Sequence, residues 1–257
     1  MAQKKTSYTI AVSGKGGTGK TVISSLMVKL ISERPDIRLL AIDADPATSL
    51  PYALGVEFTK TVGDIREKTY LDARDPNAAV GNVPLDMLLE NEIKKIMVGT
   101  PEFSLVVMGR PEGPGCYCLI NNMLRYIMDK VSKKYDVTII DCEAGLEHLS
   151  RRTIRNVDLL FMVTDPTKRG MNTANSIRSL SKSLDIVVGK LCLIVNKVTP
   201  EDRPLYEAME DVCGLVPLDP NVTRYDREGK PIVSIPDDSP VVRAVAGILE
   251  KTFFSAR

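Results

Sequence analysis

One segment of the chain has the residue types and the spacing of a phosphate-binding loop: Gly14, Lys15, Gly16, Gly17, Thr18, Gly19, Lys20 and Thr21. Glycines allow backbone N–H groups to turn inward and to approach phosphate oxygens closely. Lys20 would neutralise charge on the β- and γ-phosphates, and the Thr21 hydroxyl would ligate Mg²⁺. A helix that begins after the loop would add its dipole and its free N–H groups. The segment therefore predicts binding of a nucleotide phosphate chain with Mg²⁺.

The elements that position this loop follow from apolar runs that alternate with helical patterns. The runs are almost continuously apolar, which is typical of parallel strands covered on both faces. The predicted strands are Tyr8–Val12, Leu39–Ile42, Leu105–Met108, Val137–Ile140, Leu159–Val163 and Leu191–Val195. The predicted helices are Thr21–Glu33, Leu85–Met97, Ile120–Lys134, Met171–Leu184, Arg203–Val212 and Pro240–Phe254. This alternation predicts a single α/β domain over residues 1–257 with a doubly wound, mainly parallel sheet and helices on both faces. Together with the phosphate-loop motif it predicts a P-loop NTPase fold. The pattern is weakest between Tyr52 and Asn82.

Lys15 is an additional feature, since the ordinary phosphate-loop motif does not require a lysine directly after its first glycine. The sequence GKGGTGKT resembles the deviant loop of a group of dimeric ATPases. That group includes the nitrogenase iron protein, the septum-positioning and partitioning ATPases, and metal-insertion ATPases. The resemblance implies an ATP hydrolase that forms a homodimer, in which Lys15 reaches the nucleotide of the partner subunit and acts like an arginine finger. A solvated lysine is the alternative.

Acidic residues at the ends of two predicted strands fit the same group. Asp45 matches the switch I aspartate near Mg²⁺ and the attacking water, and Asp43 is interpreted as a supporting hydrogen-bond acceptor. Asp141 matches the Walker B position, and Gly145 would let the following loop approach the γ-phosphate. The resemblance thus implies that Thr21, Asp45 and Asp141 hold Mg²⁺, and that Lys15, Lys20 and Asp45 are catalytic. Carboxylates at strand ends also serve as caps, which remains an alternative.

Residues that would contact the base lie in the C-terminal half of the chain. Members of the group place an asparagine after a strand against adenine, and Asn196 followed by Lys197 matches that position. An amide side chain both donates and accepts hydrogen bonds, as a base edge requires. A second base-contacting loop, which binds mostly through its backbone, is matched by Pro217, Leu218 and Asp219. Thr199 stands where a guanine-reading N-K-x-D motif has its aspartate, which favours ATP over GTP.

Cys116 and Cys118 are candidate metal ligands in the segment GRPEGPGCYC. One pair supplies two sulfurs, whereas a closed tetrahedral thiolate site needs four, and a two-fold axis would supply the second pair. The segment resembles the G-C-x-C loop of CooC-type ATPases, which assist nickel insertion into carbon monoxide dehydrogenase, and of related accessory ATPases for acetyl-CoA synthase. Ni²⁺ is thus implied, although thiolates also bind Zn²⁺ well. Two incidental thiols or a redox pair are the alternatives.

The other thiols and the single histidine are interpreted as structural residues. Cys142, Cys192 and Cys213 are predicted to pack in the core, and His148 is predicted to lie on a polar helix face. An odd number of cysteines, mostly inside apolar segments, predicts reduced thiols in a cytoplasm and not a disulfide framework.

Composition and charge disfavour several classes of protein. The chain has 257 residues with 44% hydrophobic and 26% charged residues, as globular proteins have. Its formal net charge of +1 offers no basic footprint for nucleic acid or for an anionic membrane. No apolar stretch reaches the roughly 18 residues of a membrane-spanning helix. Apolar residues at helical spacing predict that the final helix faces the core and does not bind a membrane.

These residues predict a nucleotide-dependent dimeric ATPase that binds a metal at its dimer interface and assists nickel insertion into carbon monoxide dehydrogenase or acetyl-CoA synthase. Two alternatives stay open. A reductase-type ATPase with a bridging [4Fe–4S] cluster would need a second, separate cysteine after the Walker B strand. The candidate Cys142 directly follows Asp141, which is too close to that strand for this role. A partitioning or positioning ATPase would act on DNA or membrane, which the near-neutral charge disfavours.

Overall fold

A computed structural model describes residues 7–65, 85–109, 126–144, 156–172 and 187–256 of the chain. The strands are β1 (Tyr8–Gly14), β2 (Leu39–Ala44), β3 (Val98–Gly99), β4 (Phe103–Val107), β5 (Val137–Ala144), β6 (Asn156–Thr164), β7 (Val187–Val198) and β8 (Val212–Pro217). The α-helices are α1 (Lys20–Ser32), α2 (Ser49–Leu54), α3 (Leu85–Ile96), α4 (Arg203–Glu207), α5 (Pro220–Arg227) and α6 (Pro240–Thr252). A π-helical turn spans Ile127–Val131, and 3₁₀ turns span Ser132–Lys134, Ile232–Ser234 and Phe254–Ala256.

The strands form one eight-stranded sheet in the order β3-β4-β2-β5-β1-β6-β7-β8. Every neighbouring pair is parallel except β3 and β4, which are antiparallel. The chain leaves β1 towards β2 on one side and later enters β6 on the other side, so β1 lies at the topological switch point. Ligands of open α/β sheets bind outside the carboxyl ends of the strands at such a point. The predicted mainly parallel sheet is confirmed, and it directs the phosphate loop to this position.

Two apolar layers cover the sheet. On one face α1 and α6 pack against the strands, and Phe161 and Phe253 are fully buried there. The apolar layer on the other face includes Ile93 and Ile96 of α3 and Leu160 of β6. The final helix buries residues at helical spacing, namely Val241, Val242, Val245, Ile248 and Leu249, so the prediction that it faces the core is confirmed. Among the described residues, none of the helices has the length and apolarity needed to cross a bilayer.

Several element boundaries differ from the predicted ones. The helix predicted over Arg203–Val212 ends at Glu207, because a turn from Met209 leads directly into β8. The strand β8 and the short helices α2 and α5 were not predicted. Of the two helices predicted over Ile120–Lys134 and Met171–Leu184, the structure describes parts only, and residues 127–134 form a π-helical turn followed by a 3₁₀ turn.

A candidate nucleotide and magnesium site

The phosphate loop leaves β1 through glycines that approach other parts of the chain closely. A Cβ atom at Gly14 would collide with the backbone carbonyl of Val163 in the adjacent strand β6. Gly19 precedes α1 with φ of 90°, a left-handed conformation that L side chains rarely adopt. A Cβ atom there would collide with the side-chain amide of Asn196. Close contact with two neighbouring strands therefore fixes both ends of the loop.

Hydrogen bonds within the loop centre on the backbone carbonyl of Lys15. The Thr18 hydroxyl donates to this carbonyl at 2.8 Å, and the Lys20 ammonium group donates to it at 3.4 Å. Lys20 is only 7% exposed, so its charge lies inside the loop, as a residue that contacts phosphates requires. Gly16 and Gly17 are exposed on the outer side of the loop.

Asn196 and Lys197, at the end of β7, hold the loop from the opposite side. The Asn196 amide donates to the Thr18 carbonyl at 2.8 Å, and the Lys197 ammonium group donates to the Gly17 carbonyl at 2.8 Å. The Asn196 side-chain oxygen also accepts from the backbone N–H of Lys197 at 2.9 Å, where the backbone φ is 61°. Both residues thus support the phosphate loop, while a contact of Asn196 with a base stays a prediction.

Asp141 lies fully buried in β5, directly beside the first turn of α1. Its carboxylate accepts hydrogen bonds from the Thr21 hydroxyl at 2.7 Å and from the Ser24 hydroxyl at 2.9 Å. Burial raises the pKa of Asp141 to about 6, while the two hydroxyl donors and the charge of Lys20 lower it. Mg²⁺ prefers oxygen ligands, so the adjacent oxygens of Thr21 and Asp141 form a donor set that fits this ion.

A second buried carboxylate, Asp43, is the register partner of Asp141 in the neighbouring strand β2. Burial raises the pKa of Asp43 to about 7, and the charge of Asp141 adds to this effect. Asp43 accepts hydrogen bonds from the backbone N–H groups of Asp45 and Leu50, each at 3.0 Å. The interpretation of Asp43 as a supporting acceptor is confirmed. It fixes the segment between β2 and α2, which carries Asp45.

Asp45 itself lies half-buried just after β2, at the carboxyl end of the sheet. One of its carboxylate oxygens accepts a hydrogen bond from the backbone N–H of Ala47 at 2.9 Å. The structure therefore brings the segment of Asp45 to the same edge of the sheet as Asp141 and the phosphate loop. Its predicted roles towards Mg²⁺ and water stay predictions.

Two serines near this site were missed by sequence reasoning. Ser24 bonds Asp141, and the Ser49 hydroxyl lies 3.2 Å from the Thr21 hydroxyl. Ser24 lies three residues after Thr21, so both hydroxyls share a helix face, and that spacing was a usable signal. Ser49 begins α2, and only the folded arrangement of β2 and α2 brings it to Thr21.

The predicted base-contacting segment lies at the end of β8, where Pro217 is the last strand residue and Leu218 is 58% exposed. Asp219 is buried and accepts hydrogen bonds from Asn221 N–H at 2.9 Å, Ser239 hydroxyl at 2.6 Å and Val241 N–H at 3.1 Å. Burial raises the pKa of Asp219, but these hydrogen bonds outweigh burial and hold the pKa below its ordinary value. The Asp219 side chain thus caps α5 and the start of α6, while the predicted contact of its backbone with a base stays a prediction.

A cavity of about 680 Å³ opens beside the phosphate loop, a volume typical of small-molecule sites. It lies between the first turns of α1 and α2 and the helix α5. Its lining residues are Gly19, Thr21, Val22, Ser49, Tyr52, Ala53, Lys197, Val222, Thr223, Asp226, Gly229, Lys230 and Ile232.

The sequence profile of the CobQ/CobB/MinD/ParA nucleotide binding domain matches residues 9–232 of the chain. The chain belongs to this family. The match includes every described residue of the loop, the two buried aspartates, and the segment from Asn196 to Asp219.

Two relatives align with nearly the whole length of the chain. An uncharacterized ATP-binding protein of Methanocaldococcus jannaschii is 43% identical over 247 aligned positions, and the alignment covers 94% of this chain and 97% of the relative. The carbon monoxide dehydrogenase accessory protein CooC of Rhodospirillum rubrum is 33% identical over 263 aligned positions, and the alignment covers 93% of this chain and 94% of that protein. Among solved structures, the septum site-determining protein MinD of Pyrococcus horikoshii, complexed with Mg-ADP, matches with a TM-score of 0.68 at 19% identity. That match covers 97% of each chain and supports the shared fold.

In this CobQ/CobB/MinD/ParA family member, the prediction that all cysteines are reduced thiols is wrong. Cys192 of β7 and Cys213 of β8 are joined by a disulfide, with Cα atoms 5.4 Å apart. Both pack against the core as predicted, but they are not reduced thiols, because the pairing of β7 with β8 brings the two residues close together. Cys142 is buried and free, and burial raises the pKa of its thiol.

The predicted metal ligands Cys116 and Cys118 lie outside the described residues, as do Gly145 and His148. Within the described part of the chain, no group of three or more His, Cys, Asp and Glu side chains is arranged to hold a metal ion. The cysteine-pair metal site therefore stays a prediction.

Proposed function

We propose that the chain is an ATPase that binds ATP and Mg²⁺ at the phosphate loop and hydrolyses the γ-phosphate bond. The observation that carries this proposal is the contact between the Thr21 hydroxyl and the buried Asp141 carboxylate, 2.7 Å apart at the start of α1. Membership in a nucleotide-binding family supports it. Bound Mg²⁺ would supply positive charge to the β- and γ-phosphates.

Each residue of the site has a proposed role. The ammonium group of Lys20 binds the phosphates. Thr21, Asp45 and Asp141 hold Mg²⁺, and Asp45 also positions the attacking water. The carboxylate of Asp43 orients the backbone of Asp45 through a hydrogen bond of 3.0 Å. We further propose that the base contacts Asn196 and the backbone at Pro217, Leu218 and Asp219, on the far side of the loop.

Dimerisation is the second part of the proposal. Lys15 follows β1 in the phosphate loop, and its backbone carbonyl already accepts the hydrogen bonds of Thr18 and Lys20. Its side chain extends from a half-buried position and has no ion-pair partner among the described residues. We propose that Lys15 completes the nucleotide site of the partner subunit, where it adds positive charge to the reacting phosphate.

Metal delivery is the third part of the proposal. Cys116 and Cys118 of both subunits would hold one Ni²⁺ or Zn²⁺ as cargo through four thiolates on the dimer axis. The likeness to CooC, named as an accessory protein of carbon monoxide dehydrogenase, supports a nickel enzyme of the carbon monoxide dehydrogenase or acetyl-CoA synthase type as the client. Because nucleotide and metal would both favour the closed dimer, each should raise the affinity for the other by the same factor.

The first experiment addresses the ATPase. Lys20→Ala should abolish ATP binding and turnover, whereas Lys60→Ala, at an exposed lysine outside the site, should leave both unchanged. Lys15→Ala should bind ATP but fail to hydrolyse it. An equimolar mixture of Lys15→Ala and Lys20→Ala should recover hydrolysis, because mixed dimers pair an intact nucleotide site with an intact lysine. Undiminished turnover in Lys20→Ala would contradict the assignment of the phosphate loop as the nucleotide site. If the mixture did not recover hydrolysis, the proposed role of Lys15 in the partner subunit's site would be wrong.

The second experiment measures metal content per dimer in anaerobically prepared protein, with and without ATP. Replacing both Cys116 and Cys118 by alanine should abolish one-per-dimer binding of Ni²⁺ or Zn²⁺ and leave ATP binding by the monomer intact. Cys142→Ala is the matched control, since that thiol is buried and should not contribute. Stoichiometric metal in the double variant would refute the thiolate site. A brown protein with a visible absorption band would favour the iron–sulfur alternative, and co-sedimentation with DNA or liposomes would favour a positioning ATPase.

A further inference from the structure

The two edges of the sheet differ in how they are protected. At one edge the antiparallel β3 has only two residues, which is a common way to blunt an edge. At the other edge β8 has six residues of sequence VCGLVP, and among the described residues it pairs only with β7. An edge strand of this kind offers unpaired backbone donors and acceptors to another chain.

Exposed apolar side chains collect at the same edge. Four large hydrophobic residues are exposed in the described part of the chain, and three of them adjoin β8. Leu205 on α4 is 68% exposed, Met209 in the turn before β8 is 41% exposed, and Leu218 directly after β8 is 58% exposed. Clustered exposed apolar residues mark interaction sites more often than single ones do.

A groove of about 320 Å³ runs along β8 between α4 and α6. Val212 and Leu215 pack with Tyr206 on the α4 side, while Gly214 lies so close to α6 that a Cβ atom would collide with Ile248. The two helices therefore flank the strand on opposite faces of the sheet. The space between them is the position that one more strand would occupy.

The two walls of this groove differ in charge. On the α6 wall, Arg243 and Lys251 are exposed and form no ion pair with a described carboxylate. On the α4 wall, Arg203 is neutralised by Glu207 at 2.5 Å, and Glu210 is exposed in the turn before β8. Net positive charge is thus confined to the α6 side, where an acidic side chain would be favoured.

We propose that β8 binds an extended segment of a partner protein as an added strand, with acidic side chains towards Arg243 and Lys251 of α6 and apolar side chains towards the α4 side, where Tyr206 lines the groove. Alternate side chains of a strand point to opposite faces, so one segment can present acidic side chains to the α6 wall and apolar side chains to the α4 wall. A second copy of this chain fits less well, because antiparallel pairing of two β8 strands about a two-fold axis would bring the two cationic α6 walls together. The proposal is independent of the function proposed above.

The test uses two fluorescein-labelled peptides of about ten residues, one alternating glutamate with valine and one alternating lysine with valine, the length of a typical strand. Fluorescence anisotropy with the full chain should show saturable binding of the glutamate peptide and none of the lysine peptide. The double variant Arg243→Glu/Lys251→Glu should weaken the glutamate peptide about tenfold, as expected for two reversed exposed pairs, and should bind the lysine peptide instead.

The matched control is Arg227→Glu/Lys130→Glu, which changes the net charge equally at exposed residues outside the groove. It should bind the glutamate peptide like the unmodified chain. Absence of binding by both peptides would overturn the proposal, and so would an equal loss in the control, which would indicate general charge attraction. Loss of self-association in the Arg243→Glu/Lys251→Glu variant, measured by sedimentation, would assign the edge to a second copy and also overturn it.

Discussion

Reduction of the disulfide between Cys192 and Cys213 is predicted to lower the free energy of unfolding substantially. The bond joins β7 to the edge strand β8 and links residues 21 positions apart. On a chain-entropy model, closing a loop of this length in the unfolded state stabilises the fold by about 3 kcal/mol at 25 °C. Because β8 has a single neighbour among the described strands, no second ladder compensates when the bond is broken.

The assay is urea denaturation with and without a dithiol reductant. With an m-value of roughly 3 kcal/mol per molar urea for a chain of this size, the midpoint should fall by about 1 M on reduction. The variant Cys192→Ala/Cys213→Ala should unfold at the lower midpoint and should not respond to the reductant. Cys142→Ala, which removes a buried free thiol, should keep the response.

Two results would refute this reasoning. If alkylation of the unfolded protein, prepared without reductant, already modifies Cys192 and Cys213, then the bond does not form and the prediction of reduced thiols holds after all. If the bond is present but reduction leaves the urea midpoint unchanged, then breaking the bond does not increase the conformational freedom of the unfolded chain as the entropy argument requires.

Three further predictions concern stability near the site. Since burial and a facing carboxylate raise the pKa of Asp43 from 3.8 to about 7, the stabilisation present below the lower value is lost as pH rises through the higher one. The urea midpoint of the nucleotide-free protein should therefore decrease as the pH rises from the lower to the higher of these values. The decrease should be smaller in Asp43→Asn and unchanged in the exposed control Asp238→Asn. An equal decrease in Asp43→Asn would contradict this prediction. Gly19→Ala should cost at least about 1 kcal/mol, because of its left-handed backbone and a side-chain collision, whereas Gly16→Ala, with open space around it, should cost less in the same urea assay. Asp219→Ala should cost about 2–3 kcal/mol by thermal or urea unfolding, because it removes the caps of two helices, and a loss below 0.5 kcal/mol, the ordinary range of a surface substitution, would show that the caps are dispensable.

The strands of the sheet centre were predictable because each is an uninterrupted apolar run, and burial on both faces demands such a run. The edge strand β8 was not predicted, because Gly214 and Pro217 interrupt its apolar character and only its pairing with β7 reveals it. The helix α2 has only six residues and ends at Gly55, so it is too short for a periodic signal.

The phosphate loop was predictable because all of its residues are contiguous and each has a local role. The pairing of Cys192 with Cys213 was not, because it depends on which strands become neighbours. The same holds for the contacts of Asp219 with the start of α6: Asp219 was expected in a loop that contacts the base mostly through its backbone, but its side chain also binds Ser239 and Val241, about 20 positions away. Sequence spacing carries no information about such contacts.

Two sets of contacts link the segment of Asp45 to the phosphate loop. In the first, Asp43 binds the backbone of Asp45 and faces Asp141, which binds Thr21. In the second, the Thr21 hydroxyl lies 3.2 Å from the hydroxyl of Ser49, at the start of α2. Both sets of contacts end at the Thr21 hydroxyl. A ligand that moves this hydroxyl away from Asp141 or Ser49 therefore also changes the contacts that hold the Asp45 segment. The segment predicted to position the attacking water is therefore coupled mechanically to the residue predicted to hold Mg²⁺, and substituting Ser49 by alanine should remove one of its two restraints without changing any residue of the phosphate loop.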